Sequence, residues 1–168
     1  MDNKFGKVSR ISACAALKDG KTILEDLSFT APYKIMTPFE KENGGIQIMP
    51  LCASAGIMAG DSQEFSYHVK EGADLEILSQ SFEKIHKMDE GSASRTIEVQ
   101  VDKNAALYYY PQPVIPFAQS AFDSKMTIQM KLRNCFCWRS FPVVEMHMRN
   151  DFSIADFPQR YCCTGVKN

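Results

Sequence analysis

Through most of this chain apolar residues recur at every second position, and that period constrains the fold more than any other feature. Gln63-Glu64-Phe65-Ser66-Tyr67-His68-Val69 and Ala73-Asp74-Leu75-Glu76-Ile77-Leu78-Ser79 carry it clearly. A two-residue period places alternate side chains on opposite faces of an extended strand, so each strand buries one face. Polar turn clusters punctuate the pattern at Lys18-Asp19-Gly20-Lys21, Lys70-Glu71-Gly72, Asp89-Glu90-Gly91 and Asp102-Lys103-Asn104. Their spacing of about 8–12 residues is that of an all-β domain. The reading is an all-β fold, an antiparallel multi-stranded sandwich or β-helix-like stack with little helix. Further strands are expected over residues 8–17, 22–29, 46–52, 95–101, 106–110 and 124–132. The segment 81–86 could form at most a short helical turn, and no internal repeat or linker is expected.

At 168 residues the chain can build one core, burying about two-thirds of its unfolded surface. Nineteen basic and twenty acidic residues give a net charge of -1, which lacks the field a nucleic-acid binder needs. No run of apolar residues reaches the roughly 18 needed to cross a bilayer, and no secretory segment opens the sequence, so neither a nucleic acid nor a membrane is an expected partner and a cytoplasmic location is expected. Cys14 and Cys52 stand singly among apolar neighbours and read as reduced core thiols. Cys135, Cys137, Cys162 and Cys163 crowd into the tail.

Individual polar residues have ordinary readings. Asp61 after Gly60 is a turn-former, Glu83 and Lys84 form a solvated pair, and His68 and His86 are packed or surface histidines. Before residue 133 no cluster of His, Cys, Asp and Glu has metal-ligand spacing. The prolines from Pro111 to Pro116 remove backbone donors and mark a bend at a strand end. Nothing matches a phosphate loop, a nucleophile elbow or a Cys/His pair, and an enzyme is not expected.

Four segments in order nevertheless form a pattern: Thr30-Ala31-Pro32-Tyr33-Lys34-Ile35-Met36-Thr37-Pro38-Phe39; the Gly-rich turn Ser54-Ala55-Gly56-Ile57-Met58-Ala59-Gly60-Asp61; Ile77-Leu78-Ser79-Gln80-Ser81-Phe82-Glu83-Lys84-Ile85-His86; and Ala106-Leu107-Tyr108-Tyr109-Tyr110-Pro111-Gln112-Pro113-Val114-Ile115-Pro116-Phe117. Together they resemble the urease accessory proteins of the UreD (UreH) family. The resemblance implies a non-enzymatic maturation scaffold that binds apo-urease and UreF, reaches the GTPase UreG through UreF, and passes nickel(II) to the urease active site. It implies no intrinsic cofactor and no tightly bound metal, with nickel(II) in transit only. It assigns Asp61, Ser79, Gln80 and Lys84 to the nickel path or a partner-facing surface, and a shaping role to Gly60, Pro111, Gln112, Pro113 and Phe117.

After Leu132 both the alternation and the resemblance stop. The family pattern continues with an apolar strand, a glutamate and Gly-Arg-x-Ala-x-x-Glu-x-Phe. Codons taken from the third nucleotide of each residue can spell it. Asn134 to Trp138 then give Leu, Leu or Phe, Leu, Leu, and Trp138-Arg139 gives Glu or Ala. Val143-Val144 allows Gly, Val144-Glu145 allows Arg, Met146-His147 forces Ala, Arg149-Asn150 allows Glu, and Asp151-Phe152 forces Phe or Leu. The expectation is therefore a UreD/UreH-like β domain over 1–132, incomplete, and an out-of-frame tail over 133–168 from a frameshift near residues 131–134. Two other readings stay open: an inactive truncated relic, and an unrelated β-sandwich binding module.

Overall fold

The structure, a computed structural model, describes residues 7–130 and the strand placement of Cys135–Trp138 and Tyr161–Cys162. Strand is the only extended regular structure among the described residues. In chain order the strands are β1 (Val8–Lys18), β2 (Lys21–Phe29), β3 (Tyr33–Ile35), β4 (Phe39–Glu40), β5 (Ile46–Ile48), β6 (Pro50–Cys52), β7 (Ser62–Val69), β8 (Asp74–Leu78), β9 (Glu83–Ile85), β10 (Ala93–Val101), β11 (Ala106–Tyr110), β12 (Val114–Pro116), β13 (Phe122–Met130), β14 (Cys135–Trp138) and β15 (Tyr161–Cys162). The all-β expectation holds, and 81–86 contains a short strand rather than a helical turn.

The pairing direction differs from the antiparallel expectation. β1, β7, β10 and β13 run parallel side by side, as do β5, β8, β11 and β14, and β9 pairs parallel with β12. Among the described residues antiparallel pairing is confined to β1 with β2, β3 with β6, β4 with β5 and β14 with β15. The chain therefore winds as a coil. β7, β8 and β9 make one turn, β10, β11 and β12 stack beside them, and β13 and β14 begin another. Parallel sheets are normally covered on both faces and read as continuous apolar runs. In a stacked coil one face lines the interior while the other meets solvent, which reproduces the alternation of an antiparallel sheet.

The coil also contains the internal repeat that the sequence does not announce. Gln63 meets Arg95 at a separation of 32 residues, and Gln47 meets Glu76 at 29. Val69-Lys70-Glu71-Gly72-Ala73-Asp74-Leu75 and Val101-Asp102-Lys103-Asn104-Ala105-Ala106-Leu107 occupy the same corner of successive turns. Gly72 and Asn104 both take the left-handed conformation that turns this corner, with φ of 73° and 58°, a conformation open to Gly and tolerated by Asn.

Stacking like positions builds the core. Ile11, Phe65 and Ile97 lie side by side on one face, Ala13, Tyr67 and Val99 at the next inward position, and Ala15, Val69 and Val101 at the one after. Across the interior, Ile46, Leu75 and Leu107 form one row, and Ile48, Ile77 and Tyr109 another. Leu75 and Leu107 are fully buried, which stabilises by about 1.5–3 kcal/mol each. A smaller cluster of Ile57, Ile85, Met88 and Ala93 fills the corner beneath β9 and β12. The proline segment does pair, Val114 to Pro116 lying against Glu83 to Ile85. Only alternate residues of a parallel strand donate toward a given neighbour, so a proline at the strand end is tolerated.

Candidate functional site

One position before the Ile11–Phe65–Ile97 row, the inward side chains of the same three strands are polar: Ser9, Gln63 and Arg95, all buried. Glu83, on β9, faces them. Arg95 Nε donates to Gln63 Oε1 at 2.7 Å, and Gln63 Nε2 donates to Glu83 Oε1 at 3.2 Å. The ring of contacts closes through an ion pair between Arg95 Nη2 and Glu83 Oε2. The Tyr33 hydroxyl donates to Glu83 Oε1 at 3.1 Å. The guanidinium lies between the rings of Phe65 and Phe122, at 5.4 and 5.3 Å from their centroids, an arrangement that attracts a cation to the ring faces. Among the described residues Ser120 Oγ alone is a fully buried side-chain polar atom without a partner, so this network leaves no such atom unsatisfied, as a buried network must if it is not to destabilise the fold.

The network lines a cavity of about 720 Å³ inside the coil, enough for on the order of twenty waters. Tyr67 and Tyr109 close its deep side, and Cys52, Ser54, Gly56, Met58, Ser81 and Phe82 contribute to its wall. Asp61, Ser79, Gln80 and Lys84 all line this same cavity, as do Pro111 and Gln112; Gly60, Pro113 and Phe117 do not. Phe117 instead packs edge-on against the His86 ring at 5.2 Å. Gly60 supplies the left-handed turn, φ 84°, that delivers Asp61. Asp61 also performs the turn role its sequence context suggests: Oδ2 accepts the Met58 N–H at 2.8 Å, and its own N–H donates to the Met58 carbonyl at 3.1 Å.

Burial governs the titration of the wall. It pushes the Tyr33 hydroxyl far above its ordinary range, with the Glu83 charge adding to the effect, and it pushes Tyr109 up to about 12. Burial alone would favour a neutral Arg95, but the Glu83 carboxylate outweighs it and holds the guanidinium above its ordinary value. Burial likewise raises the Cys52 thiol, with Glu83 next in importance. Cys14 and Cys52 are both half-buried free thiols.

Glu83 is the main departure from the sequence reading. It is not half of a solvated pair with Lys84: strand geometry sends neighbouring side chains to opposite faces, so Glu83 turns to Arg95 while the Lys84 side chain is exposed at the wall. A signal for the network exists in the sequence. Gln63 and Arg95 occupy the inward phase of strands whose other inward positions are Phe65, Tyr67, Val69 and Ile97, Val99, Val101, and a polar residue at an intended core position is functional when it is not an error.

His68 Nε2 lies 2.9 Å from Asp102 Oδ2 and His86 Nε2 lies 3.1 Å from the Ala55 carbonyl. Both histidines are thus engaged with protein groups. Among the described residues no group of three or more His, Cys, Asp or Glu side chains is placed to hold a metal ion. No helix among them is long and apolar enough to cross a membrane. The tail residues 139–160 and 163–168, and the expected frame boundary at 131–134, lie outside the described residues.

Comparison with known proteins decides the family. The profile described as UreD urease accessory protein matches residues 8–140. The chain belongs to the UreD family. It is 42% identical over 139 residues to the urease accessory protein UreD of Acetivibrio thermocellus, an alignment covering 82% of this chain and 53% of the relative. It is 37% identical over 133 residues to the urease accessory protein UreH of Helicobacter pylori strain P12, covering 79% and 50%. The more distant UreD of Haemophilus influenzae is 28% identical over 134 residues, covering 77% and 49%. This UreD-family chain thus spans about half the length of the curated relatives it matches.

Proposed function

We propose that this chain serves urease maturation in the cytoplasm as a non-enzymatic scaffold, linking apo-urease to UreF and through it to UreG, and passing nickel(II) through the interior of the coil. The observation that carries the transit step is the partly open cavity whose mixed polar and apolar wall includes Asp61, Ser79, Gln80 and Lys84. An ion in transit needs oxygen and amide groups that replace part of its hydration without a closed soft-ligand cage to trap it. Hydroxyl, amide and carboxylate groups supply the first, and no described cluster supplies the second.

Because Asp61 also holds its turn through Met58, alanine there would confound transit with folding. Asp61→Asn keeps the acceptor and removes the charge. Made at the equivalent aspartate of a full-length relative, it should lower urease activation and the nickel content of urease while the melting temperature stays within a few degrees. Unchanged activation removes Asp61 from the path. A pull-down of this chain with UreF tests the scaffold role, and failure to capture UreF while the chain is folded would favour an unrelated binding module.

A further inference from the structure

Of the inward-facing carboxylates at the cavity, Asp61 is committed through Oδ2 to the Met58 amide, and Glu83 is committed to Arg95, Gln63 and Tyr33. We propose that Arg95 sets the cation affinity of the coil interior: by occupying Glu83 Oε2 and Gln63 Oε1, it prevents a divalent transition-metal ion from being retained there. The inference rests on the transit reading above and names the residue that makes transit, rather than capture, the outcome.

The geometry is specific. Arg95 contacts two oxygens of different residues with two different nitrogens, the fixed fork that guanidinium offers and ammonium does not. Without it, Glu83 Oε2 and Gln63 Oε1 would face the vacated volume together, with the second carboxylate oxygen already drawing donors from Tyr33 and Gln63. Carboxylate and amide oxygens in one small buried space are cation ligands. Cys52 lies on the same cavity wall and would add a softer donor. The residue charges of the lining agree: Lys7, Lys84 and Arg95 are basic and Asp61 and Glu83 acidic, so the loss of Arg95 turns an excess of one positive charge into balance. An uncompensated buried carboxylate is also unstable by itself, and a bound cation would relieve that cost.

The test is calorimetric titration of the full 168-residue chain with nickel(II) alone. Arg95→Met should gain one site per chain, at least about tenfold tighter than any cavity site of the unsubstituted protein. The double variant Glu83→Gln/Arg95→Met should lose it. The tail cysteines are common to all variants, so their background cancels in the comparison. A folded Arg95→Met that binds nickel no better than the unsubstituted chain overturns the proposal, as does a double variant that binds as tightly as the single. Should Arg95→Met fail to fold, Arg95→Lys keeps a positive charge beside Glu83 but lacks the guanidinium fork that also occupies Gln63 Oε1. It should tighten nickel binding by a few-fold, and a folded Arg95→Lys that binds no better than the unsubstituted chain overturns the proposal. If the equivalent of Arg95→Met tightens nickel binding in a full-length relative yet leaves urease activation intact, the role of Arg95 stands and the transit reading falls.

Discussion

Arg95, at the inward start of β10, forms an ion pair across the coil corner with Glu83 of β9, and both side chains are largely shielded from solvent. Their contact joins successive turns of the coil, since β9 ends one turn and β10 opens the next.

Removing one partner of such a pair leaves a charge without compensation in a poorly solvated space. Arg95→Met is expected to cost about 3–5 kcal/mol of unfolding free energy, and the double variant Glu83→Gln/Arg95→Met to recover part of it. Urea unfolding followed by circular dichroism measures both. With Glu83→Gln measured as well, a loss in the double variant equal to the sum of the two single losses would mean that the pair is not coupled.

Alkaline stability should depend on the buried tyrosines. The folded pKa of Tyr109 is raised from its ordinary 10.0 to about 12. An acid whose folded value is raised contributes stability that is present below the unfolded value and is lost as pH climbs through the folded one. The unfolding free energy from urea titrations should therefore fall between pH 10 and 12, by about 2–3 kcal/mol for Tyr109 alone. Tyr109→Phe should flatten that fall, and an unaltered profile in the variant would rule the tyrosine out as its cause.

Gly56 has φ 147°, and a Cβ there would come within 2.6 Å of the Lys84 carbonyl and 2.8 Å of the His86 ring. Neither the backbone oxygen nor the ring, packed on Phe117, has free room to move. Gly56→Ala is expected to lose about 1–3 kcal/mol and to shift the NMR signals of β9. A melting temperature equal to that of the parent would show that this corner is softer than its contacts imply.

The matched corners at Gly72 and Asn104 should respond unequally. Gly72→Ala places a side chain at φ 73°, 3.1 Å from Leu17 Cδ2, and should lose about 1 kcal/mol. Asn104→Gly relaxes a left-handed asparagine and should stay within about 0.5 kcal/mol of the parent. Thermal melts of the two variants decide whether the corners are equivalent.

The coding sequence through residues 131–134 carries a further expectation. Sequencing the gene should reveal a slip there that restores Gly-Arg-x-Ala-x-x-Glu-x-Phe. An intact frame whose overlap cannot encode that pattern would assign the tail to the protein as written.

The strands were legible because alternation is local: β1, β2, β7, β8, β10 and β11 lie within a residue or two of where the two-residue period and the turn clusters place them. Of the segments singled out in the sequence, Ser54 to Met58 and Asp61 of the Gly-rich turn line the same cavity as Ser79 and Gln80. Glu83 was misread because its neighbour Lys84 is exposed, and proximity in sequence within a strand means opposite faces. Gln63 and Arg95 could have been picked out as polar residues at apolar positions, yet nothing local says that they meet each other.

The chain by itself determined where it is extended, where it turns and which face of each strand is apolar, since these follow from side-chain period and backbone preference within a few residues. Only the tertiary structure decided that the strands stack in parallel and that Glu83 completes Arg95. Parallel pairing across about thirty residues depends on how successive turns share one interior, and no short-range pattern records which turn lies beside which.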